Sequence, residues 1–246
     1  MSLLDETVEI PRRTMTLFFV IDTSGSMAGS KIGAVNDAVV NVLPMLEEIS
    51  AENPDAEIKV AALEFSTTCN WLYSEPKPAN EFVWQDVQAS ALTSLGAACK
   101  ELASKLSRSG FMKAASGSFA PAIILLSDGA PTDDFESGLA ALKQNNWFKA
   151  AIKVAIAIGD DADKNVLTQF TGTNEAVFTV HNIDALKQII RVVAVTSSQI
   201  GSKSSTAGDT TKQEQVIAEV KSAVDNIGGA EVASAPASTA SYDDWD

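Results

Sequence analysis

Histidine and cysteine are almost absent: His181 is the single histidine, and Cys69 and Cys99 are the two cysteines, among 246 residues. Nothing pairs His181 with a nucleophile, so it reads as a strand-end residue. The cysteines form no CxxC pair and imply no disulfide framework; both read as free, partly buried thiols. Basic residues are also scarce, 18 Lys and Arg against 32 Asp and Glu, for a net charge of -14. Such a chain lacks the clustered cations that grip a phosphate backbone or an anionic membrane surface, which argues against nucleic-acid and membrane partners. No apolar run approaches the ~18 residues needed to span a bilayer. The N-terminal stretch MSLLDETVEIPRR places acids before bases and has no apolar core, so no secretory leader is expected and the expected location is cytoplasmic. Walker-type and GxGxxG phosphate loops are missing as well.

What is present is an ordinary globular balance, 46% hydrophobic and 20% charged, with enough apolar material for a sizeable core. Continuous apolar runs at Met15–Ile21, Ile58–Phe65, Ala120–Ser127, Ala150–Ile158 and Ala176–Val180 have the pattern of strands buried on both faces. Thr68–Tyr73 is a shorter candidate, paired with the second strand as a hairpin or edge. Between these runs, apolar residues recur at steps of three and four, as in Ile32, Val35, Val39, Leu43 and Leu46, the stripe of an amphipathic helix. Pro44 is expected to kink or loosen that helix.

This alternation predicts an α/β fold: a doubly wound, mostly parallel, Rossmann-like sheet with one short antiparallel edge strand and helices on both faces. Residues 1–13 read as a polar lead-in, 14–200 as the domain, and 201–246 as a linker, a possible short helix at Gln213–Ile227, and an acidic low-complexity tail expected to be disordered.

The chemistry concentrates where strands end. After the first strand comes Asp22-Thr-Ser24-Gly-Ser26; a later loop carries Thr93; the fourth strand, Ala120–Ser127, runs into Asp128-Gly129. In a doubly wound sheet, ligands bind outside the carboxyl ends of the strands, where these loops would meet. Two carboxylates and three hydroxyls make a hard, all-oxygen set, suited to Mg²⁺ or Mn²⁺ rather than zinc. Taken alone, Ser24 and Ser26 are equally compatible with capping the next helix. Asp133 and Asp134 read as cap and first-turn residues of the helix that follows, and Asp160, Asp161 and Asp163 as a solvated turn, because EF-hand spacing is missing.

The combination of Asp22-x-Ser24-x-Ser26, Thr93 and Asp128-Gly129 resembles the metal-ion-dependent adhesion site of the von Willebrand factor A domain family, over residues 14–200. Within it, LTSLGAACKELASKL, PAIILLSDGAPTDD and VTSSQIGSKSS are most similar to bacterial TerY-type proteins of tellurium-resistance and stress-response clusters. The resemblance implies that Ser24 and Ser26 bind a metal through their hydroxyls, that Thr93 binds directly or through water, and that Asp22 and Asp128 hold coordinated waters. It implies a non-enzymatic module that recognises an Asp or Glu carboxylate of a protein partner, in an assembly or regulatory role. Two other readings stay open. One is a metal-dependent phosphohydrolase with Asp22 as nucleophile, opposed by Thr23-Ser24 where a second Asp would stand and by no evident lysine near the loops. The other is a self-associating scaffold whose metal takes a carboxylate of the acidic tail. The oligomeric state is not legible in the sequence.

Overall fold

The computed structural model describes residues 12–114, 117–202, 211–227 and 230–232. Most of the lead-in, most of the linker and the tail beyond Val232 lie outside these residues, and so does the disorder expected there.

The first strand, β1 (Arg13–Asp22), is followed by α1 (Ser30–Glu52), β2 (Ala56–Phe65), β3 (Cys69–Trp71), β4 (Lys77–Pro78) and α2 (Leu95–Lys105). The second half contains β5 (Ala122–Ser127), α3 (Phe135–Gln144), α4 (Asn146–Ala150), β6 (Ile152–Ile158), α5 (Lys164–Thr171), β7 (Val177–Val180), α6 (Ile183–Ser202), α7 (Lys212–Ile227) and β8 (Ala230–Val232). The sheet order is β3-β2-β1-β5-β6-β7-β8, with β4 also on β2. The pairs β1–β2, β1–β5, β5–β6 and β6–β7 are parallel. This is the doubly wound, mostly parallel sheet expected from the alternation of runs.

Side chains of β1 alternate between two cores. Met15, Leu17, Phe19 and Ile21 pack with α1, α6 and α7 on one face. Phe18 and Val20 pack with α2, α3, α4 and α5 on the other. With both faces covered, the strand has no polar side to show, which is why its sequence is one apolar run.

The edges differ from expectation. Both β3 and β4 pair antiparallel with β2, and β8 pairs antiparallel with β7 on the opposite edge, so the single antiparallel edge strand becomes short segments at both edges. Pro78 is tolerated in β4 because an edge residue need not donate to a further strand. β8 falls in the stretch expected to be disordered; its pairing with Phe178, Thr179 and Val180 is long-range and leaves no local pattern. The helix at 212–227 is present and buries Val216 and Val220 against the sheet's first face. α1 runs unbroken through Pro44, which lies on its exposed side, where water can serve the carbonyl that proline leaves without a donor.

On the second face the backbones of α2 and α3 touch. A Cβ on Gly138 would lie 2.2 Å from the Gly96 carbonyl, and one on Gly96 would lie 2.4 Å from the Asp134 carbonyl. Cys99 follows Gly96 on α2 and Cys69 lies on β3; burial pushes Cys99 up to about 12 and Cys69 up to about 11. Both therefore stay protonated at neutral pH and should resist alkylation by iodoacetamide at pH 8 until the protein is unfolded, as mass spectrometry will show. Gly138→Ala must push two helix backbones apart and should lower stability by about 1–3 kcal/mol in urea unfolding.

Candidate metal centre

The sheet reverses its winding between β1 and β5: the chain moves outward from β1 to β2 and then returns to place β5 on the other side of β1. At such a switch point the two following loops diverge and leave a crevice. Asp22 ends β1, and Ile21 stands opposite Leu126 of β5, so the register brings Asp22 beside Ser127 and Asp128.

Asp22 is wholly buried. Its Oδ1 accepts from the Ser24 amide at 2.8 Å and its Oδ2 from the Ser127 hydroxyl at 2.6 Å. Burial raises the Asp22 carboxyl above its ordinary range; hydrogen bonds from Ser127 and Ser24 oppose the rise, and the nearby Asp128 charge adds to it. The Ser24 and Ser26 hydroxyls lie 3.1 Å apart, and Ser26 Oγ donates to Asp128 Oδ1 at 2.7 Å. Neither serine caps α1. That helix starts after Gly29, and Ser24 precedes a single 3-10 turn (Gly25–Met27) without a side-chain capping bond.

Thr93 joins the same cluster. A Cβ on Gly129 would lie 3.4 Å from Ser26 Oγ, 3.7 Å from Thr93 Oγ1 and 3.9 Å from Asp22 Oδ2. Oxygens from two loops thus line the space beside Gly129 of the third, and Asp128 of that third loop joins them through its bond from Ser26. Backbone bonds tie the loops together. The Gly25 amide donates to the Ala91 carbonyl, Ser90 to Thr23, Ser94 to Ser66, and Thr132 to Thr93. Ala91 sits at φ 62°, the one non-glycine residue with positive φ among the described residues. That conformation costs about 1–2 kcal/mol and turns the chain between its bond to Gly25 and the inward-facing Thr93.

Four participants escaped the sequence reading. Ser127 holds Asp22. Thr132 receives the Thr93 amide on its hydroxyl at 3.2 Å. Asp133 caps α2, accepting from Gly96 and Ala97 at 2.9 and 2.8 Å, while Asp134 alone caps α3. Lys31, in the first turn of α1, places Nζ 2.5 Å from Asp128 Oδ2 and also contacts Asp161. A lysine therefore does stand at these loops. Burial would lower the Lys31 ammonium, but bonds to Asp128 and Asp161 outweigh it and raise it overall. The same contact holds Asp161 below the usual carboxylate range. Only the SDG run hinted at Ser127; the others depend on contacts between distant segments.

The donor set fits a hard divalent cation. Among the described residues no three His, Cys, Asp or Glu side chains form a group that could hold a metal ion, so a cation held here would draw on the hydroxyls as well. Ser24, Ser26 and Thr93 offer neutral oxygens, and Asp22 brings a buried negative charge whose hydrogen bonds come from neutral donors. A cation would offset that burial. Ser26 is exposed, so the cluster opens toward solvent on its side.

The model of the von Willebrand factor type A domain matches residues 16–192. The chain belongs to this family. Such domains are commonly metal-dependent protein-interaction modules. No curated protein matches the chain. Among solved structures, the domain is similar to a von Willebrand factor type A protein from Catenulispora acidiphila (TM-score 0.57, 16% identity, 76% of this chain and 43% of that one). It is also similar to the pilus adhesin SpaC from Lactobacillus rhamnosus GG in its open conformation (TM-score 0.59, 14% identity, 76% and 30%). A third is proximal thread matrix protein 1 from the mussel byssus, with a zinc-occupied MIDAS motif (TM-score 0.52, 15% identity, 76% and 46%). At these identities the likeness is one of fold, and the chain spans less than half the length of each.

Ser127→Ala removes a donor from a buried carboxylate. It should destabilise the metal-free domain by about 1.5–3 kcal/mol in urea unfolding, whereas Ser137→Ala, exposed on α3, should change stability by less than about 0.5 kcal/mol.

Proposed function

We propose that this domain is a non-enzymatic, Mg²⁺- or Mn²⁺-dependent protein-binding module that recognises an Asp or Glu carboxylate of a partner. The observation that carries the reading is the convergence of Asp22, Ser24, Ser26, Thr93 and Asp128 at the carboxyl edge of β1 and β5. Ser24 and Ser26 would ligate the ion through their hydroxyls, and Thr93 directly or through water. Asp22 and Asp128 would hold coordinated waters and orient the serines. The bound ion supplies positive charge to an incoming carboxylate; neutral hydroxyl ligands leave that charge largely intact, and exposed Ser26 marks the side of approach. The absence of nitrogen and sulfur donors from the set favours Mg²⁺ or Mn²⁺ over the zinc of the byssus protein. The resemblance of LTSLGAACKELASKL, PAIILLSDGAPTDD and VTSSQIGSKSS to TerY-type sequences is the support for the further proposal of an assembly or regulatory role in a bacterial tellurium-resistance or stress-response system; the proposed location is the cytoplasm. Among the described residues no helix is long and apolar enough to cross a membrane.

One observation favours a second reading. Lys31 beside Asp128 removes an objection to a metal-dependent phosphohydrolase. Thr23-Ser24 still stands where a second acid would be needed, and Lys31 is engaged by two carboxylates. Phosphatase turnover with Mg²⁺ that disappears in Asp22→Asn would decide for the enzyme. The self-associating scaffold rests on tail carboxylates outside the described residues.

The binding reading predicts Mg²⁺ association by titration calorimetry and capture of a partner in pull-downs that EDTA abolishes. Ser26→Ala should lose both while still melting cooperatively in EDTA, at a lower temperature than wild type because it takes a donor from the buried Asp128 carboxylate. Partner capture indifferent to EDTA and to Ser26→Ala would refute it.

A further inference from the structure

Lys31 connects two carboxylates of different standing. Its Nζ lies 2.5 Å from Asp128 Oδ2 and 3.1 and 3.2 Å from the two oxygens of Asp161. The Asp128 side chain is fully buried, that of Asp161 is 74% exposed, and that of Lys31 is 23% exposed. The ammonium thus spans an acceptor inside the oxygen cluster and an acceptor outside it. Gly159 makes room for this pair. Its φ is +94°, and a Cβ there would lie 2.9 Å from Asp161 Oδ1 and 3.1 Å from Lys31 Cε, so only bare backbone fits beneath the contact.

We propose that Lys31 is a tethered counter-ion of the metal centre: it neutralises Asp128 in the metal-free protein and yields that carboxylate to the divalent ion by passing wholly to Asp161. This rests on the reading of the cluster as a cation site.

Both oxygens of Asp128 are engaged, Oδ1 by Ser26 and Oδ2 by Lys31. A divalent ion that recruits Asp128, directly or through water, therefore competes with Nζ for one carboxylate and is repelled by a like charge a few ångströms away. An ammonium on a flexible four-carbon stem, with three donors, can shift between acceptors it already touches without moving the backbone. Asp161 is such an acceptor, and being exposed it holds the cation at little desolvation cost. The lysine spares the metal-free fold a second uncompensated buried carboxylate beside Asp22. In return it sets metal affinity below what the hydroxyls and carboxylates alone would provide, and the exchange leaves the ammonium paired with Asp161 at the rim.

The test is Mn²⁺ and Mg²⁺ titration calorimetry on the full chain, with wild type, Lys31→Met and Asp161→Asn, alongside thermal melts in EDTA. Lys31→Met should bind Mn²⁺ about tenfold more tightly than wild type and melt at a lower temperature in EDTA. Asp161→Asn takes away the alternative acceptor and should weaken Mn²⁺ binding several-fold. A lysine that merely props the site would make both variants bind more weakly. That result, or unchanged affinity in Lys31→Met, overturns the proposal while leaving the cation site standing. Wild type that binds neither ion overturns the cation site itself.

Discussion

A buried carboxylate at the end of the central strand is the constraint on which the structure turns. Asp22 is carried into the interior by β1, whose two faces are covered by separate cores, and it ends where no solvent reaches. Removing a charge from water costs several kcal/mol unless hydrogen bonds or an opposite charge replace the lost hydration. Here the replacement comes from neutral donors, the Ser24 amide and the Ser127 hydroxyl. Those donors satisfy the oxygens but do not cancel the charge, so the carboxyl is pushed toward its neutral form. A divalent cation among the neighbouring hydroxyls is the chemical complement of that imbalance.

Much of the surrounding architecture holds three loops in register around this point. The switch between β2 and β5 on either side of β1 brings the Asp22 and Asp128 loops together. The Thr93 loop is positioned indirectly: Thr132 grips it, Asp133 caps α2, and the contact of Gly96 with Gly138 lets α2 lie directly on α3. A strained Ala91 and a glycine without a side chain at 129 complete the enclosure. These features have no direct part in ligand chemistry. They decide whether hydroxyls on separate loops can face one ion.

The fold was legible because parallel strands buried on both faces must be apolar throughout, and the runs around Phe18, Leu63, Leu125 and Ala155 are. Asp22, Ser24, Ser26 and Asp128 stood out for a related reason: polar residues that abruptly end such runs fall at the carboxyl edge. The edges of the sheet were harder. β4 and β8 are short, and what makes them strands is the partner they lie against. Pro44 misled because its effect depends on which side of α1 faces water. Asp133 misled because its caps lie on the helix before it, reached only when two helices pack.

The sequence by itself determined the alternation of strands and helices, the strand ends at which oxygen-bearing side chains emerge, and an all-oxygen donor set suited to a hard cation. These are local properties, written in the period of apolar residues and in side-chain chemistry. Tertiary structure alone decided that Ser127 supports Asp22, that Thr132 and Asp133 hold the Thr93 loop, and that Lys31 bridges Asp128 and Asp161. Each of these last contacts joins segments far apart in the chain. The charge balance at the site is therefore a property of packing, because Coulomb interactions depend on distance in space and sequence spacing does not report it.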